Sequence, residues 1–472
     1  MKNKKYNCSR KKRYLFQLLL MYSIFVSNGI VLLAQGNAMQ VGVAKIDITP
    51  EWPVRLAGFA ARVKKESEGT LQPLHAKAMA LGNNYQNSSL IITADLIGIS
   101  ERITNEVKSR LSKKLKPEHI TISVSHTHSG PEIGTLLNIL PYTSNTTKFS
   151  DTLFSVDELS HINLYVEQLI DKLIKVSEEA LLSREPSLVS WGQGSVDFAF
   201  NRRKLKDAVD YDMPLIKVED LSGNLKALFL SYTCHAVTLG PEMNQFHGDW
   251  VGDAQTEIEV RHPGTIAMIA VGCAGDSNPK PGGEFTKSGT TPIDKMERSK
   301  KYGEMIANEA ERLLKTGLVV LTKLPDVNFA RIELPFAHTP SVKELSEQAK
   351  NITVKGYYAK LALERIARGE RLPKYVPYPV QTWSFGKKLS IIFLGGEVVA
   401  DYSIRLKKEL GAMKTWVVGY SNDVPCYIGS KRVIHAGGYE GEASMYYYNK
   451  PGSLAESVEE QIIATVHRLL KK

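Results

Sequence analysis

Apolar positions in this chain come in short runs that end abruptly at glycine, proline or small polar residues. Residues 89–99 are apolar almost throughout, the pattern of a strand covered on both faces. Asp95 inside that run needs a partner, because a buried carboxylate is costly without one, and it reads as a structural anchor. Ile120, Ile122 and Val124 alternate with Thr121 and Ser123, the period-two signature of a half-buried strand, and Gly130-Pro131 follows as a strong breaker. Further strands are predicted at 40–46, 74–81, 188–196, 215–218, 227–232, 266–271, 318–336, 416–419 and, as a pair, within 377–397. Helical spacing marks 103–115, 165–182, 250–261, 294–314, 341–369, 398–410 and 454–470.

Strands that arrive in consecutive pairs break the regular strand–helix alternation of a (β/α)₈ barrel, which is the main rival architecture. After residue 38 the sequence has no linker-like break, low-complexity tract or internal repeat. The pattern predicts one large α/β domain over residues 39–472, with mixed β-sheets flanked by helices. Residues 137–157, rich in Ser, Thr and Asn, have the composition of a substrate-side loop or lid.

Composition adds little until the N-terminus is considered. The 43% apolar and 23% charged residues are those of an ordinary globular protein. The formal charge of +10 suggests a polyanion partner, but residues 1–38 carry seven basic and no acidic residues, and without them it falls to +3. That value argues against nucleic acid as a partner. The same stretch reads as a secretory signal: a basic start to Arg13, an apolar run over 14–34, and small residues at Ala34, Gly36 and Ala38 for cleavage. A polar patch at Ser27-Asn28-Gly29 favours cleavage over an uncleaved membrane anchor. The expected setting is secreted or periplasmic. Cys8 precedes the apolar run and is not placed for lipid attachment; Cys234, Cys273 and Cys426 form neither a disulfide framework nor a Cys-x-x-Cys zinc site.

Candidate chemistry gathers at four places that share one pattern, an apolar strand ending in a ligand-type residue flanked by Gly, Pro or small polar residues. They are His126 and His128, His235, Asp276 to Pro279, and Glu397 after Gly395-Gly396. Two residues apart on an extended backbone, His126 and His128 project from one side. His-x-His is also common in plain polar turns, so the pair alone decides nothing. Two or three imidazoles with one carboxylate make a zinc-type set, and zinc brings the pKa of a water from ~15.7 towards ~7.

Taken in order, Ser-His126-Thr-His128-Ser-Gly-Pro, Asn201-Arg202, Tyr-Thr-Cys-His235-Ala-Val, Gly275-Asp276, Gly-Gly-Glu397 and Gly-Tyr439-Glu-Gly resemble the neutral/alkaline, non-lysosomal ceramidase family, from about Val41 to the C-terminus. The resemblance implies that family's catalytic fold and a zinc amidase that cleaves the N-acyl bond of ceramide. It implies His126, His235, Glu397 and Tyr439 as Zn2+ ligands, His128 beside the activated water, and Arg202 on the scissile carbonyl. Asp276 joins the catalytic candidates, either orienting a histidine or binding substrate, or else capping the turn at Asn278-Pro279.

Plainer readings stand beside these roles. Glu397 also suits the start of the 398–410 helix, Tyr439 a loop anchor, and Arg202 a surface ion pair. His247 and Asp249 are candidates for the pocket wall but read rather as loop geometry, and Tyr446, Tyr447 and Tyr448, candidates for an oxyanion donor or an apolar channel wall, read rather as packing.

Two departures separate the chain from the family. Asn278 stands where the active-site serine is expected, with Ser277 one place early and facing the other way on an extended backbone. Asparagine exchanges hydrogen bonds but is no nucleophile. The chain also ends soon after the Tyr439 motif, which leaves no room for the C-terminal immunoglobulin-like domain of full-length ceramidases. The expected function is therefore a zinc hydrolase of a small-molecule or lipid-like amide, with peripheral membrane contact in keeping with such a substrate. The alternatives are ester or glycoside hydrolysis by the same centre and, in another class, a non-catalytic binding protein.

Overall fold

The computed structural model describes residues 37–60, 62, 66–134, 136–137, 155–280 and 292–471. The signal segment, apart from its last two residues, and most of the predicted lid lie outside them.

The first half of the chain builds a large mixed sheet. It contains β1 (Met39–Asp47), β2 (His75–Leu81), β3 (Ser89–Ala94), β4 (Ile120–Val124), β5 (Glu185–Ser195), β7 (Asp212–Asp220), β8 (Leu225–Tyr232) and β9 (Ile266–Val271), after the short β6 (Ala199–Asn201) outside it. Their order is β4-β3-β2-β1-β5-β7-β8-β9, parallel only at β3–β4 and β8–β9. A two-stranded ribbon pairs β10 (Ser277–Pro279) with β6, and β11 (Val319–Leu321) pairs with β5. The second half builds a smaller sheet from β12 (Asp326–Pro335), β13 (Tyr375–Phe385), β14 (Leu389–Leu394) and, beyond the short β15 (Glu397–Val398), β16 (Thr415–Val418). β15 pairs in parallel with β17 (Tyr427–Ile428).

Side-chain alternation explains how these sheets stack. On β2, Met79 and Leu81 enter one core, while Ala76, Ala78 and Ala80 enter another; on β8 the same split puts Phe229 in the first and Leu228 and Leu230 in the second. The first core also takes Leu389, Ile391 and Phe393 of β14 and Trp416 of β16, so it lies between the two sheets. Phe229 and Trp416 stack across it with ring centroids 4.7 Å apart. Burial of each such side chain contributes about 1.5–3 kcal/mol.

The outer faces are covered by α1 (Glu101–Leu111), α2 (Val156–Leu182), α3 (Asp249–Arg261) and α4 (Pro292–Leu314) on the large sheet. On the small one, after α5 (Val342–Gln348) and α6 (Val354–Ala367), lie α7 (Ala400–Leu410) and, after the short α8 (Lys431–Ala436) and α9 (Gly438–Gly441), α10 (Val458–Leu470). The result is a helix–sheet–sheet–helix sandwich. It agrees with the predicted α/β class with mixed sheets and accounts for the continuous apolar run of β3, which is buried along its whole length. No described helix is long and apolar enough to cross a membrane.

Three predicted elements change at identifiable residues. Residues 341–369 form two helices because Thr353 caps a new one, its Oγ1 accepting from Gly356 N at 3.0 Å. Residues 318–336 divide between the two sheets around Pro325, which has no N–H for a ladder. β3 stops at Ala94 because Asp95 turns away to accept from His75 N at 2.9 Å and Gln255 Nε2 at 3.0 Å, the anchoring role expected of it.

What matters for function is where the strands end. The C-terminal ends of β4, β8, β9, β14 and β16 meet, and backbone bonds weld them together. Gly419 N donates to Val271 O at 3.0 Å, Asn422 N to Ile122 O at 2.7 Å, and His128 N to Ala236 O at 3.2 Å.

Candidate metal centre

β4 ends at Val124, so His126 and His128 are not on extended backbone as expected. His126 has φ 55°, a left-handed conformation that costs a non-glycine residue about 1–3 kcal/mol. The kink still brings the two rings together, edge to face with centroids 4.9 Å apart and Nε2 atoms at 3.3 Å. His126 Nδ1 lies 2.5 Å from Ile97 O, and its ring packs on Tyr420 at 4.3 Å. From the end of β8, His235 places Nδ1 2.6 Å from Ala274 O. The three imidazoles have ring nitrogens within 4.8 Å of one another.

Glu397 reaches the same point from the other sheet. Gly396 turns the chain at φ 75°, where a Cβ would meet Cys426 O at 2.7 Å, and Glu397 N then donates to Cys426 O at 3.0 Å. Glu397 Oε2 lies 3.2 Å from His126 Nε2 and 3.1 Å from His235 Nε2, and Oε1 accepts from the Tyr448 hydroxyl.

Protons decide what this geometry means. A carbonyl oxygen only accepts, so Nδ1 of His126 and of His235 must carry a hydrogen, and on a neutral ring Nε2 is then the lone pair. Burial and the nearby Arg202 charge, against the pull of Glu397, lower the His235 pKa to about 4. Burial and the two neighbouring imidazoles push His128 well below the usual histidine range. Burial opposes ionisation of Glu397, but His126 and His235 outweigh it and hold the carboxyl well below its ordinary value. On neutral rings both Nε2 lone pairs face Glu397 Oε2, so a proton or a cation must lie between them. Converging acceptors of this kind fit a cation, and nitrogen with carboxylate oxygen is a donor set suited to zinc.

A cavity of about 820 Å³ opens above His128. Phe59, Val237, Tyr427 and Tyr447 give it apolar wall, and Arg202, Asn278, Tyr439 and Glu440 its polar groups. Arg202 is anchored on every side: Nε to Glu440 at 2.8 Å, Nη1 to Asn278 Oδ1 at 3.2 Å, and Nη2 to Gly275 O at 2.9 Å and the Tyr427 hydroxyl at 3.0 Å.

Of the residues singled out in the sequence, the structure gathers His126, His128, His235 and Glu397 into one cluster and sets Arg202 beside it. The other two singled-out residues lie apart from the cluster. Asp276 touches neither a histidine nor the cavity; it accepts from Asn201 Nδ2 at 2.8 Å and Ala400 N at 2.9 Å, so it fixes the Arg202 loop and the start of α7. Tyr439 is 44% exposed and lies against Tyr427 on the cavity wall; its hydroxyl bonds to neither the imidazoles nor Glu397. Asp249 accepts from Leu239 N, and its own N donates to His247 Nδ1. The His247 backbone donates to Ser129 O at 3.0 Å and accepts from Thr127 Oγ1 at 2.7 Å, tying this loop to the histidine turn.

Sequence reasoning missed Glu440, which sits next to Tyr439 and holds both Arg202 and Arg203. It also missed the bond from Tyr448 to Glu397, favouring packing for the run of three tyrosines, and missed Tyr427, 3.4 Å from His235 Nε2.

Fold and site together define a mixed α/β sandwich with a three-histidine cluster able to hold a metal ion at the foot of a cavity. The chain belongs to the neutral/alkaline non-lysosomal ceramidase family, whose N-terminal region matches residues 39–316. Neutral ceramidase A of Dictyostelium discoideum is 23% identical over 299 residues, which take in 57% of this chain and 39% of that protein's length. The crystal structure of neutral ceramidase from Pseudomonas aeruginosa superposes with a TM-score of 0.67 at 17% identity, covering 92% of this chain and 75% of that one. A ceramidase complexed with C2 gives 0.66 at 16%, covering 92% and 76%. At these identities the two structures speak for the fold alone.

Proposed function

We propose that this protein is a zinc-dependent amidase that hydrolyses the N-acyl bond of ceramide or a closely related lipid-like amide. One observation carries the reading: the Nε2 atoms of His126 and His235 converge on the Glu397 carboxylate beneath a cavity large enough for a lipid head and the start of its chains. Family membership supports the reaction class.

His126, His235 and Glu397 would hold the ion, with Tyr439 as the fourth ligand that the family resemblance adds. Bound there, zinc would act as a Lewis acid that makes water a nucleophile near neutral pH. His128 accepts the proton released by attack and returns it to the leaving amine; its Nδ1 is buried without a partner and its Nε2 faces the cluster. Arg202, held rigid by four bonds, stabilises negative charge on the carbonyl oxygen. Asp276 keeps the Arg202 loop in register without touching substrate. Residues 1–38 support export to a secreted or periplasmic setting.

Purified protein assayed with N-acylsphingosine should release fatty acid and sphingosine, and His235→Ala should not. Turnover of esters or glycosides with no amide cleavage would overturn the substrate assignment.

A further inference from the structure

Asn278 holds a place in the cavity that its neighbours explain. Register in the β10–β6 ribbon pairs Asn278 with Phe200, and strand alternation turns Ser277 inward, where its hydroxyl is buried without a partner, while Asn278 lines the cavity with His128. Its carboxamide orientation is fixed by chemistry. A guanidinium only donates, so the atom 3.2 Å from Arg202 Nη1 must be Oδ1, and the two N–H groups of Nδ2 are turned away from Arg202. Nδ2 makes no hydrogen bond to any described residue. Arg202 cannot swing to release this arrangement, because Glu440, Gly275 O and the Tyr427 hydroxyl hold it.

With Arg202 on Oδ1, the groups that Arg202 and Asn278 leave unpaired toward the cavity are chiefly N–H donors. A serine hydroxyl would serve a donor or an acceptor on the substrate equally; this pair favours an acceptor. Of the atoms in an acyl bond, the carbonyl oxygen is the acceptor that gains negative charge as the carbon is attacked. A fixed donor is worth most at such an atom. We propose that Asn278 Nδ2 donates a hydrogen bond to the acyl carbonyl oxygen of the substrate, with Arg202 as its partner donor, and so orients the scissile bond without forming a covalent intermediate. This rests on the acyl-hydrolase reading above.

Asn278→Asp keeps the acceptor for Arg202 and removes the N–H groups but adds a negative charge, so the neutral Asn278→Leu is measured beside it. On metal-loaded protein, kcat toward N-acylsphingosine and toward an O-acyl counterpart should fall about 100-fold in Asn278→Asp, with metal content and Tm unchanged. Asn278→Ser, which restores a hydroxyl donor, should stay within about tenfold of the parent. Should the aspartate variant lose metal, Asn278→Leu, close in shape and without a donor, should show the same loss. Asn278→Asp or Asn278→Leu within about twofold of the parent, at equal metal content, would overturn this inference alone. A parent enzyme inert toward both substrates would overturn the acyl-hydrolase reading and this inference with it.

Discussion

His235 Nε2 lies 3.1 Å from Glu397 Oε2, and on a neutral His235 ring neither atom has a proton to give. The hydrogen on His235 is committed to Ala274 O, and the carboxyl is held ionised. Without a proton or a cation between them the contact is an acceptor facing an acceptor, and His126 Nε2 stands 3.2 Å from the same oxygen.

Glu397→Gln should therefore split affinity from stability. Because Tyr448 donates to Oε1, the new amide N–H₂ would occupy the place of Oε2 and donate to both imidazoles. We expect the metal-free variant to melt about 1–3 °C above the metal-free parent, while zinc binding weakens by tenfold or more. Calorimetric scans with and without chelator would read both; a metal-free variant less stable than the parent would contradict the lone-pair assignment.

Gly58 carries the cavity side of His128. Its φ is 99°, and a Cβ there would lie 2.5 Å from His128 Nδ1. Gly58→Ala should push the imidazole off its proton-transfer position and lower kcat by about 10²–10⁴, the range for a lost general acid–base. Metal content should be unchanged, since the other three members of the cluster are untouched. Parallel loss of metal would instead make His128 a ligand.

Tyr448→Phe removes the hydrogen bond to Glu397 and leaves a buried carboxylate oxygen without its donor. Partners of this kind typically change metal affinity by 10–100-fold, so the variant should need proportionately more zinc for half-maximal activity. A zinc titration superimposable on the parent's would remove Tyr448 from the site.

Stability should respond to pH through Glu132, close to the cluster in sequence but outside it. Burial, only partly offset by the Arg55 charge, raises its carboxyl to about 8 from 4.5. A raised folded-state pKa contributes stability that is full below the unfolded value and is lost as pH climbs through the folded one. Between about pH 5 and 8 the parent should lose Tm relative to Glu132→Gln, and above about 8 the gap should level off. Parallel curves would show that Glu132 ionises normally.

Much of this architecture was legible in the sequence because it follows from short-range pattern. The apolar runs at 89–99 and 266–271, and the alternation at 120–124, locate strands whose ends carry His126 and Asp276. Patterning does not encode what happens just past a strand. The left-handed turn at His126, and the meeting of β4 with the 419–422 turn of the other sheet, depend on long-range contacts. For the same reason Glu440 and Tyr448 escaped: their partners Arg202 and Glu397 lie 238 and 51 residues away. Asp276 was located correctly but given a chemical role because a buried acid at a strand end looks the same whether it meets substrate or two backbone-fixing donors.

Zinc titration of chelator-treated protein by calorimetry tests the central claim most directly. A single saturable site, with one ion per chain, is expected, and it should disappear in both His126→Ala and His235→Ala. Absence of saturable binding in the parent, or binding that survives both substitutions, would contradict it.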